Sequence, residues 1–221
     1  MKVIITGATG MVGKGVLLEC LDDDRIEQIL LINRSDIDLK HPKIKEIIHQ
    51  DFTDFSSVQQ EFKEYNACFH CMGVSSVGIT EEQYYKFTYT ITEALVNAVY
   101  NTNPNSIFIY VSGEGTDSTE KGKSMWARVK GKTENLILNK GFKDAYMFRP
   151  GVILPKRGIT SKTKLYNVFY LITRPIFPLL QKMKSVTTTE KLGKAMIELI
   201  NNQQQMKILS GSDINQTVIN D

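Results

Sequence analysis

Short apolar runs of strand length alternate along the chain with segments of helical period. The apolar runs occupy residues 2–6, 28–33, 44–50, 67–71, 106–112 and 145–149. Between them, apolar side chains recur every three or four positions in the segments 11–21, 55–64, 82–101 and 125–139. Strands that are apolar along their whole length and alternate with helices predict a parallel sheet covered by helices on both faces. We therefore predict an α/β fold with a doubly wound parallel sheet.

The rhythm changes in the last third of the chain. A loop rich in Pro, Gly and Lys covers residues 151–161, and a helix is predicted from 189 to about 202. We predict a single domain, residues 1–221, in which residues 151–188 form a small cap over the substrate.

An apolar stretch at residues 165–180 raises the question of a membrane. Arg174, Pro175 and Pro178 interrupt it, and it is shorter than the roughly 20 residues that a membrane-spanning helix needs. We predict no transmembrane span, and we interpret the stretch as a buried helix or as an oligomer face, which would suit a homodimer. The alternative is an interfacial membrane anchor.

Composition places the chain among globular proteins. Of the 221 residues, 42% are hydrophobic and 23% are charged, and the formal net charge is +3. These values exclude a disordered or fibrous protein. No concentrated Lys/Arg stripe precedes residue 120, so we expect no nucleic-acid partner.

The three cysteines, Cys20, Cys68 and Cys71, are an odd number. No signal peptide precedes the first apolar run, and we therefore expect a reducing, cytoplasmic location. Cys68 and Cys71 form a C-x2-C pair, but they lie in an apolar run and no second pair completes a metal site. We expect no metal.

A glycine-rich turn follows the first predicted strand. The sequence TGATGMVG places Gly7, Gly10 and Gly13 three residues apart, directly before a helix. Gly7 permits a tight turn, Gly10 lets the backbone approach a pyrophosphate, and Gly13 lets helix and strand pack closely. The N-terminus of the helix supplies free N–H groups and the positive end of a dipole. This arrangement predicts a dinucleotide site.

The end of the second predicted strand bears on which dinucleotide binds. A carboxylate commonly contacts a free ribose 2′-hydroxyl there, but residues 33–35 read Asn-Arg-Ser. The guanidinium of Arg34 can pair with a 2′-phosphate, so we favour NADP. Asp36 and Asp38 keep NAD as the alternative. Asp51, after the third strand, is placed to accept a hydrogen bond from the adenine amino group, or else it is a turn carboxylate.

Taken together, these residues resemble the short-chain dehydrogenase/reductase superfamily. The similarity is to its extended and atypical branch, which includes nucleoside-diphosphate-sugar epimerase-like and Tat-interacting-protein-like members, and it covers about residues 1–155. It is carried by an ordered set of motifs: TGATGMVG, Asn33-Arg34, Asp51-Phe52, HCMG at 70–73, YVS at 110–112, VKGKTE at 129–134 and RPG at 149–151. The resemblance implies a Rossmann fold.

In that superfamily, a Ser or Thr after the fifth strand and a Tyr-x-x-x-Lys pair on the next helix carry proton transfer. The resemblance implies Ser112 and Lys130 as catalytic residues, with Trp126 at the tyrosine position. Residues four apart share a helix face, so Lys130 can reach a cofactor ribose while Trp126 walls the pocket. An indole N–H only donates, and the candidates for the proton donor are Ser112, Tyr89, Asp117 and a bound water. The alternative to a functional role for Lys130 is a solvated lysine on the helix surface. The alternative for Ser112 is a hydroxyl that satisfies local backbone groups.

The resemblance also implies where the cofactor lies. The implied cofactor-binding residues are Gly7, Thr9, Gly10, Met11, Val12, Gly13, Arg34, Asp51, Phe52, Cys71, Met72, Gly73, Lys130 and Pro150.

Three functions follow from this reading of the sequence. The first is an NADP-dependent oxidoreductase or epimerase-like enzyme acting on a small carbonyl or alcohol substrate, which no motif after residue 151 identifies. The second is an inactive NADP-binding regulatory or scaffold protein, because a fold and its cofactor site do not imply turnover. The least favoured is a partner-binding module that needs no cofactor and uses the apolar stretch at 165–180.

Overall fold

The computed structural model describes residues 1–159, 183 and 185–218. Its strands are β1 (Lys2–Thr6), β2 (Gln28–Asn33), β3 (Ile44–Ile48), β4 (Ala67–His70), β5 (Ile107–Val111), β6 (Asp144–Arg149), β7 (Val152–Leu154), β8 (Val186–Thr188) and β9 (Ile208–Ser210). Its helices are α1 (Met11–Asp22), α2 (Glu81–Tyr85), α3 (Ile91–Thr102), α4 (Met125–Leu138), α5 (Thr189–Asn201) and α6 (Gly211–Thr217). Within these residues, seven parallel strands form a sheet in the order β3-β2-β1-β4-β5-β6-β9, and β7 pairs with β8 separately.

Two hydrophobic cores cover the two faces of the sheet. Successive side chains of a strand point to opposite faces, and in β1 this places Val3 and Ile5 in one core and Ile4 in the other. Buried residues of α1 and α5 complete the first core, and buried residues of α3 complete the second. The prediction of a doubly wound parallel sheet is confirmed.

The order of the strands reverses at β1. This strand pairs with β2 on one side and with β4 on the other, where Thr6 lies opposite His70. In such sheets the connections diverge at the reversal and leave a crevice beyond the carboxyl ends of the strands, where ligands bind. The segments that follow β1, β2, β4 and β5 therefore surround the candidate site.

Residues 55–64 do not form the predicted helix. The structure has only a 3-10 turn there, Gln59–Phe62. Upstream, the carboxylates of Asp51 and Asp54 each accept a hydrogen bond from a backbone N–H two residues ahead, and such local bonds compete with helix formation. The apolar residues of this segment instead join an aromatic cluster in which the Phe52 and Phe55 rings lie 5.4 Å apart.

Other differences concern short elements. β7 lies inside the predicted loop 151–161, and β8, β9 and α6 were not predicted, because strands of three residues are too short to show a period. The predicted helix 82–101 contains one π turn, Lys86–Thr90. The apolar stretch 165–180 and most of the predicted cap lie outside the described residues, so the cap stays a prediction. Among the helices that the structure does describe, none is long and apolar enough to cross a membrane.

Candidate functional site

The glycine turn between β1 and α1 has two glycines in close contact with backbone and a third, Gly10, beside which a single backbone atom lies. Gly7 has a φ of +78°, and a Cβ there would lie 2.8 Å from the carbonyl carbon of Cys71. A Cβ on Gly13 would overlap the carbonyl oxygen of Gly7. A Cβ on Gly10, by contrast, would approach only the Gly7 carbonyl oxygen, at 3.3 Å. Gly10 therefore leaves the N-terminus of α1 accessible to a ligand.

A cavity of about 340 Å³ lies beside this turn, and we call it the first cavity. The turns after β1, β2, β3 and β4 and the π turn of residues 86–90 line it. The lining residues are Gly7, Thr9, Gly10, Ile32, Asn33, Arg34, Gln50, Asp51, Phe52, Thr53, Cys71, Met72, Gly73, Val74, Lys86, Phe87 and Ile91.

The cationic groups in the wall of the first cavity are Arg34 and Lys86. Arg34 is exposed at the end of β2, and its carbonyl accepts a 2.7 Å hydrogen bond from Gln50 Nε2. Asp36 and Asp38, which keep NAD open as the alternative, line a separate depression together with Glu46. This end of the cavity therefore carries positive charge where an NAD site commonly has a carboxylate.

Asp51 lines the first cavity and also holds a turn. Its Oδ1 accepts hydrogen bonds from the backbone N–H and the hydroxyl of Thr53, at 2.9 and 2.6 Å. These bonds lower the pKa of the Asp51 carboxyl below its usual value. Both interpretations of this residue, turn carboxylate and adenine contact, are compatible with its position.

A second cavity, of about 870 Å³, lies between the turn after β4, the loop after β5, α4 and residues 150–153. Its wall includes Val77, Tyr84, Ser112, Glu114, Gly115, Trp126, Lys130, Gly151 and Ile153. Both cavities are lined by Gly10, Cys71, Met72, Gly73 and Val74. They are therefore two ends of one cleft that passes the N-terminus of α1.

Lys130 lies in the wall of the second cavity, together with Trp126 from the same helix. Its Nζ donates a hydrogen bond to the Ser112 carbonyl oxygen. Burial lowers the pKa of Lys130 to about 8, and the nearby Glu134 carboxylate opposes this. The indole of Trp126 packs against Gly115, where a Cβ would lie 3.2 Å from Cη2. The cavity thus places an ammonium group beside an aromatic wall.

The Ser112 hydroxyl is engaged inside the protein. It lies 2.5 Å from Glu134 Oε1 and 3.1 Å from the Phe148 carbonyl oxygen, to either of which it can donate. Glu134 is fully buried and pairs with Arg149 at 2.5 Å. This geometry accounts for a local role of the hydroxyl, and a role in proton transfer stays a prediction.

Tyr89 and Asp117 line neither cavity. The Tyr89 hydroxyl donates to Glu93 Oε1 at 3.0 Å. The Asp117 carboxylate accepts hydrogen bonds from the backbone N–H groups of Thr119 and Gly122. Neither side chain is therefore placed to act as the proton donor.

His70, at the end of β4, is buried in a chain of hydrogen bonds. Thr92 donates to the Thr88 carbonyl oxygen, so its hydroxyl oxygen accepts from His70 Nε2, and Thr6 donates to Nδ1 at 2.6 Å. Burial lowers the pKa of His70 to about 3. The imidazole is neutral near pH 7, and it ties β1 and β4 to the π turn beside the cleft.

Several residues that line the cleft were not predicted from the sequence, and four of them bear on its chemistry. Gln50 and Lys86 lie in the first cavity, and Tyr84 and Glu114 lie in the second. The capping box of Thr80 and Gln83 begins the helix that carries Tyr84 and Lys86, but no spacing along the chain indicates that it faces the turn after β1. For Glu114, the available signal was a carboxylate between two glycines after β5.

The model of the NAD dependent epimerase/dehydratase family matches residues 3–123. The match covers more than half of the chain, which therefore belongs to this family. The resemblance to the short-chain dehydrogenase/reductase superfamily is confirmed.

Curated relatives include "Protein FMP52, mitochondrial" of Meyerozyma guilliermondii, which is 22% identical over 223 residues, 98% of this chain and 95% of that protein. Relatives from Scheffersomyces stipitis, Debaryomyces hansenii and Chaetomium globosum also carry the FMP52 name and the word mitochondrial. The cytoplasmic location expected from the sequence is wrong by this comparison. Free cysteines argue against an oxidising compartment, but they do not distinguish one reducing compartment from another.

Solved structures with the same fold include the yeast methylglyoxal/isovaleraldehyde reductase Gre2 with NADPH. It is 13% identical, with a TM-score of 0.69 over 95% of this chain and 78% of that one. The UDP-glucuronic acid 4-epimerase of Bacillus cereus with NAD is 14% identical, with a TM-score of 0.67 over 95% of this chain and 77% of that one. At identities this low, the structural similarity shows a shared fold and nothing further.

Proposed function

We propose that this protein is an NADP(H)-dependent oxidoreductase that acts on a small carbonyl or alcohol substrate. The observation that carries the proposal is the single cleft. Its first cavity is lined by Arg34 and Lys86, the N-terminus of α1 lies where the two cavities meet, and Lys130 and Trp126 line the second cavity. A dinucleotide has the same succession of groups: an adenosine end, a pyrophosphate and a reactive ring.

The first cavity and the turn would hold the adenosine and the phosphates. The pyrophosphate would lie on the N–H groups at the start of α1, since Gly10 has no side chain in the way. Arg34 would pair with the 2′-phosphate, with Lys86 as a second cation in the wall of the same cavity. Phe52 and Asp51 would contact the adenine. The position of Asp36 and Asp38 outside this wall supports NADP over NAD.

The second cavity would hold the nicotinamide and the substrate. When bound, the reduced dinucleotide supplies a hydride. The Lys130 ammonium would hydrogen-bond the ribose hydroxyls and orient the ring. Trp126 would form the substrate wall and help to exclude water.

Cofactor selection is tested by titrating NADPH and NADH into the wild type and Arg34→Ala. We expect Arg34→Ala to weaken NADPH binding about tenfold to a hundredfold, since a charge-assisted contact contributes about 1.5 to 3 kcal/mol. NADH binding should change little. Lys63→Ala, which removes an exposed lysine that lines neither cavity, is the control. Equal losses for both dinucleotides would refute the assignment of Arg34.

Turnover is tested by following NADPH oxidation with methylglyoxal and isovaleraldehyde, and NADP+ reduction with UDP-glucuronic acid. The first two are named with the yeast reductase of the same fold and the last with the epimerase. Lys130→Ala should lose most of the activity. Lys132→Ala is the matched control on the same helix, because its ammonium lies 5.0 Å from the ring centres of Tyr85 and Tyr89, outside the cleft. Turnover that is indifferent to Lys130→Ala would contradict the role of Lys130.

The second candidate function is an NADP-binding regulatory protein without turnover. One observation favours it: an indole stands one helical turn before Lys130, and its N–H cannot cycle a proton. Tight NADPH binding with no turnover across a broad panel of aldehydes, ketones and sugar nucleotides would favour this function over the oxidoreductase.

A further inference from the structure

Of the described residues that line the second cavity, one carries a carboxylate: Glu114. Trp126 and Lys130 line the same cavity. Glu114 belongs to the loop after β5, which the sequence motifs of the superfamily do not single out in this chain. A carboxylate in this position faces the place proposed for the substrate.

The loop is shaped around this side chain. Gly113 and Gly115 flank Glu114 and have φ values of +133° and +85°, which side chains rarely adopt. The Glu114 N–H donates a 2.9 Å hydrogen bond to the Pro150 carbonyl oxygen. Next to that proline, Gly151 leaves room for the carboxylate, because a Cβ there would overlap Glu114 Oε2. Three glycines therefore accommodate one acidic side chain at the cavity wall.

The Glu114 carboxylate differs from its acidic neighbours in having no partner in the described part of the chain. Glu134 is paired with Arg149, and Asp117 accepts backbone N–H groups. No hydrogen bond or ion pair to the Glu114 side chain occurs among residues 1–159, 183 and 185–218. An exposed, unpaired carboxylate can exchange its proton with solvent, as a general acid or base must.

We propose that Glu114 is the proton-transfer residue of this site, in place of the phenol that Trp126 cannot supply; the proposal rests on the proposed oxidoreductase function. In reduction, a hydride from the dihydronicotinamide forms a C–H bond at the carbonyl carbon. The π pair of the C=O bond moves to oxygen, and that oxygen takes the proton of the Glu114 carboxyl group. The products are the alcohol, the oxidised dinucleotide and the Glu114 carboxylate, which solvent reprotonates. In oxidation, the carboxylate accepts the hydroxyl proton.

The first test compares NADPH-dependent reduction of isovaleraldehyde by the wild type, Glu114→Gln, Glu114→Asp and Glu82→Gln. Glu114→Gln should lower kcat roughly a hundredfold or more and leave NADPH affinity unchanged. Glu114→Asp should recover part of the rate. Glu82→Gln removes an exposed carboxylate outside both cavities and is the control. A kcat for Glu114→Gln within about threefold of the wild type would overturn the proposal.

The second test does not need turnover, so it also decides the proposal if the proposed activity itself fails. Isovaleramide, an unreactive analogue of the aldehyde, is titrated into the NADPH complexes of Glu114→Gln and Glu114→Leu. The side-chain amide of Glu114→Gln can donate a hydrogen bond to the carbonyl oxygen of the analogue and Glu114→Leu cannot, so Glu114→Gln should bind it about fivefold more tightly. Equal binding to the two variants, or no binding to either, would overturn the proposal, because residue 114 would then not reach the substrate oxygen.

Discussion

The buried charge of Lys130 should make the protein less stable, which gives a test that needs neither substrate nor cofactor. Its pKa is lowered from 10.5 to about 8. This difference corresponds to about 3 kcal/mol by which folding disfavours the charged form. Lys130→Met removes that charge and keeps the aliphatic length. It also removes the hydrogen bond to the Ser112 carbonyl oxygen, which costs about 1 kcal/mol.

We therefore expect Lys130→Met to be more stable than the wild type by about 2 kcal/mol at pH 7. For a chain of this size that corresponds to a rise in Tm of roughly 4 to 8 °C. Because the folded-state pKa lies below the unfolded one, the unfolded chain binds more protons between about pH 8 and 10.5. The stability of the wild type therefore rises with pH over this window, and the gap between the two proteins closes.

Urea unfolding of the wild type, Lys130→Met and Lys132→Met at about pH 7, 9 and 10 measures this gap. Lys132→Met is the control, since Lys132 lies on the same helix and its pKa is raised by the hydrogen bond with Tyr85. It should therefore show no such gain. A Lys130→Met protein that is less stable than the wild type at pH 7, or a gap that does not change with pH, would refute the reasoning. Higher stability combined with lost aldehyde turnover would indicate a lysine retained for function.

Three further substitutions test other parts of the site. Gly10→Val should leave a folded protein and abolish NADPH binding measured by calorimetry, because the side chain would enter the cleft; unchanged affinity would contradict the phosphate site. Trp126→Tyr should lower or redirect aldehyde reduction, because the indole walls the cavity; a several-fold rise would indicate an impaired phenol-dependent site. Glu134→Ala leaves the Arg149 guanidinium and the Ser112 hydroxyl without their carboxylate partner. Urea unfolding should show that the free energy of unfolding falls by about 3 kcal/mol. A decrease below about 1 kcal/mol would contradict a stabilising ion pair.

The sheet was predictable because its strands are buried on both faces. Residues 3–5 and 29–32 are apolar without interruption, and the structure has β1 and β2 at the predicted bounds, 2–6 and 28–33. β3 is one of the two edge strands of the described sheet, with half-buried and exposed positions, and it ends at Ile48 rather than at residue 50. Edge strands lose neighbours on one side, so their limits are less evident from hydrophobicity.

The cleft was predictable where a motif determines backbone geometry. Gly7, Gly10 and Gly13 lie as their spacing indicated, because a tight turn into a helix requires small residues at those positions. Lys86 reaches the same cleft from a helix more than 70 residues later in the chain. Only the packing of that helix against the sheet brings it there, and no local pattern encodes such a contact.

Glu114 and Trp126 illustrate the same limit for chemistry. A motif assigns proton transfer to one helical position, so a tryptophan at that position suggests a lost activity. In the folded chain, the loop after β5, twelve residues before that position, lines the same cavity, and its carboxylate lies in the cavity wall together with the indole. Proton transfer requires a donor within hydrogen-bonding distance of the substrate oxygen, whichever element supplies it. The departure from the motif therefore changes which side chain has to be tested, and it does not by itself argue against catalysis.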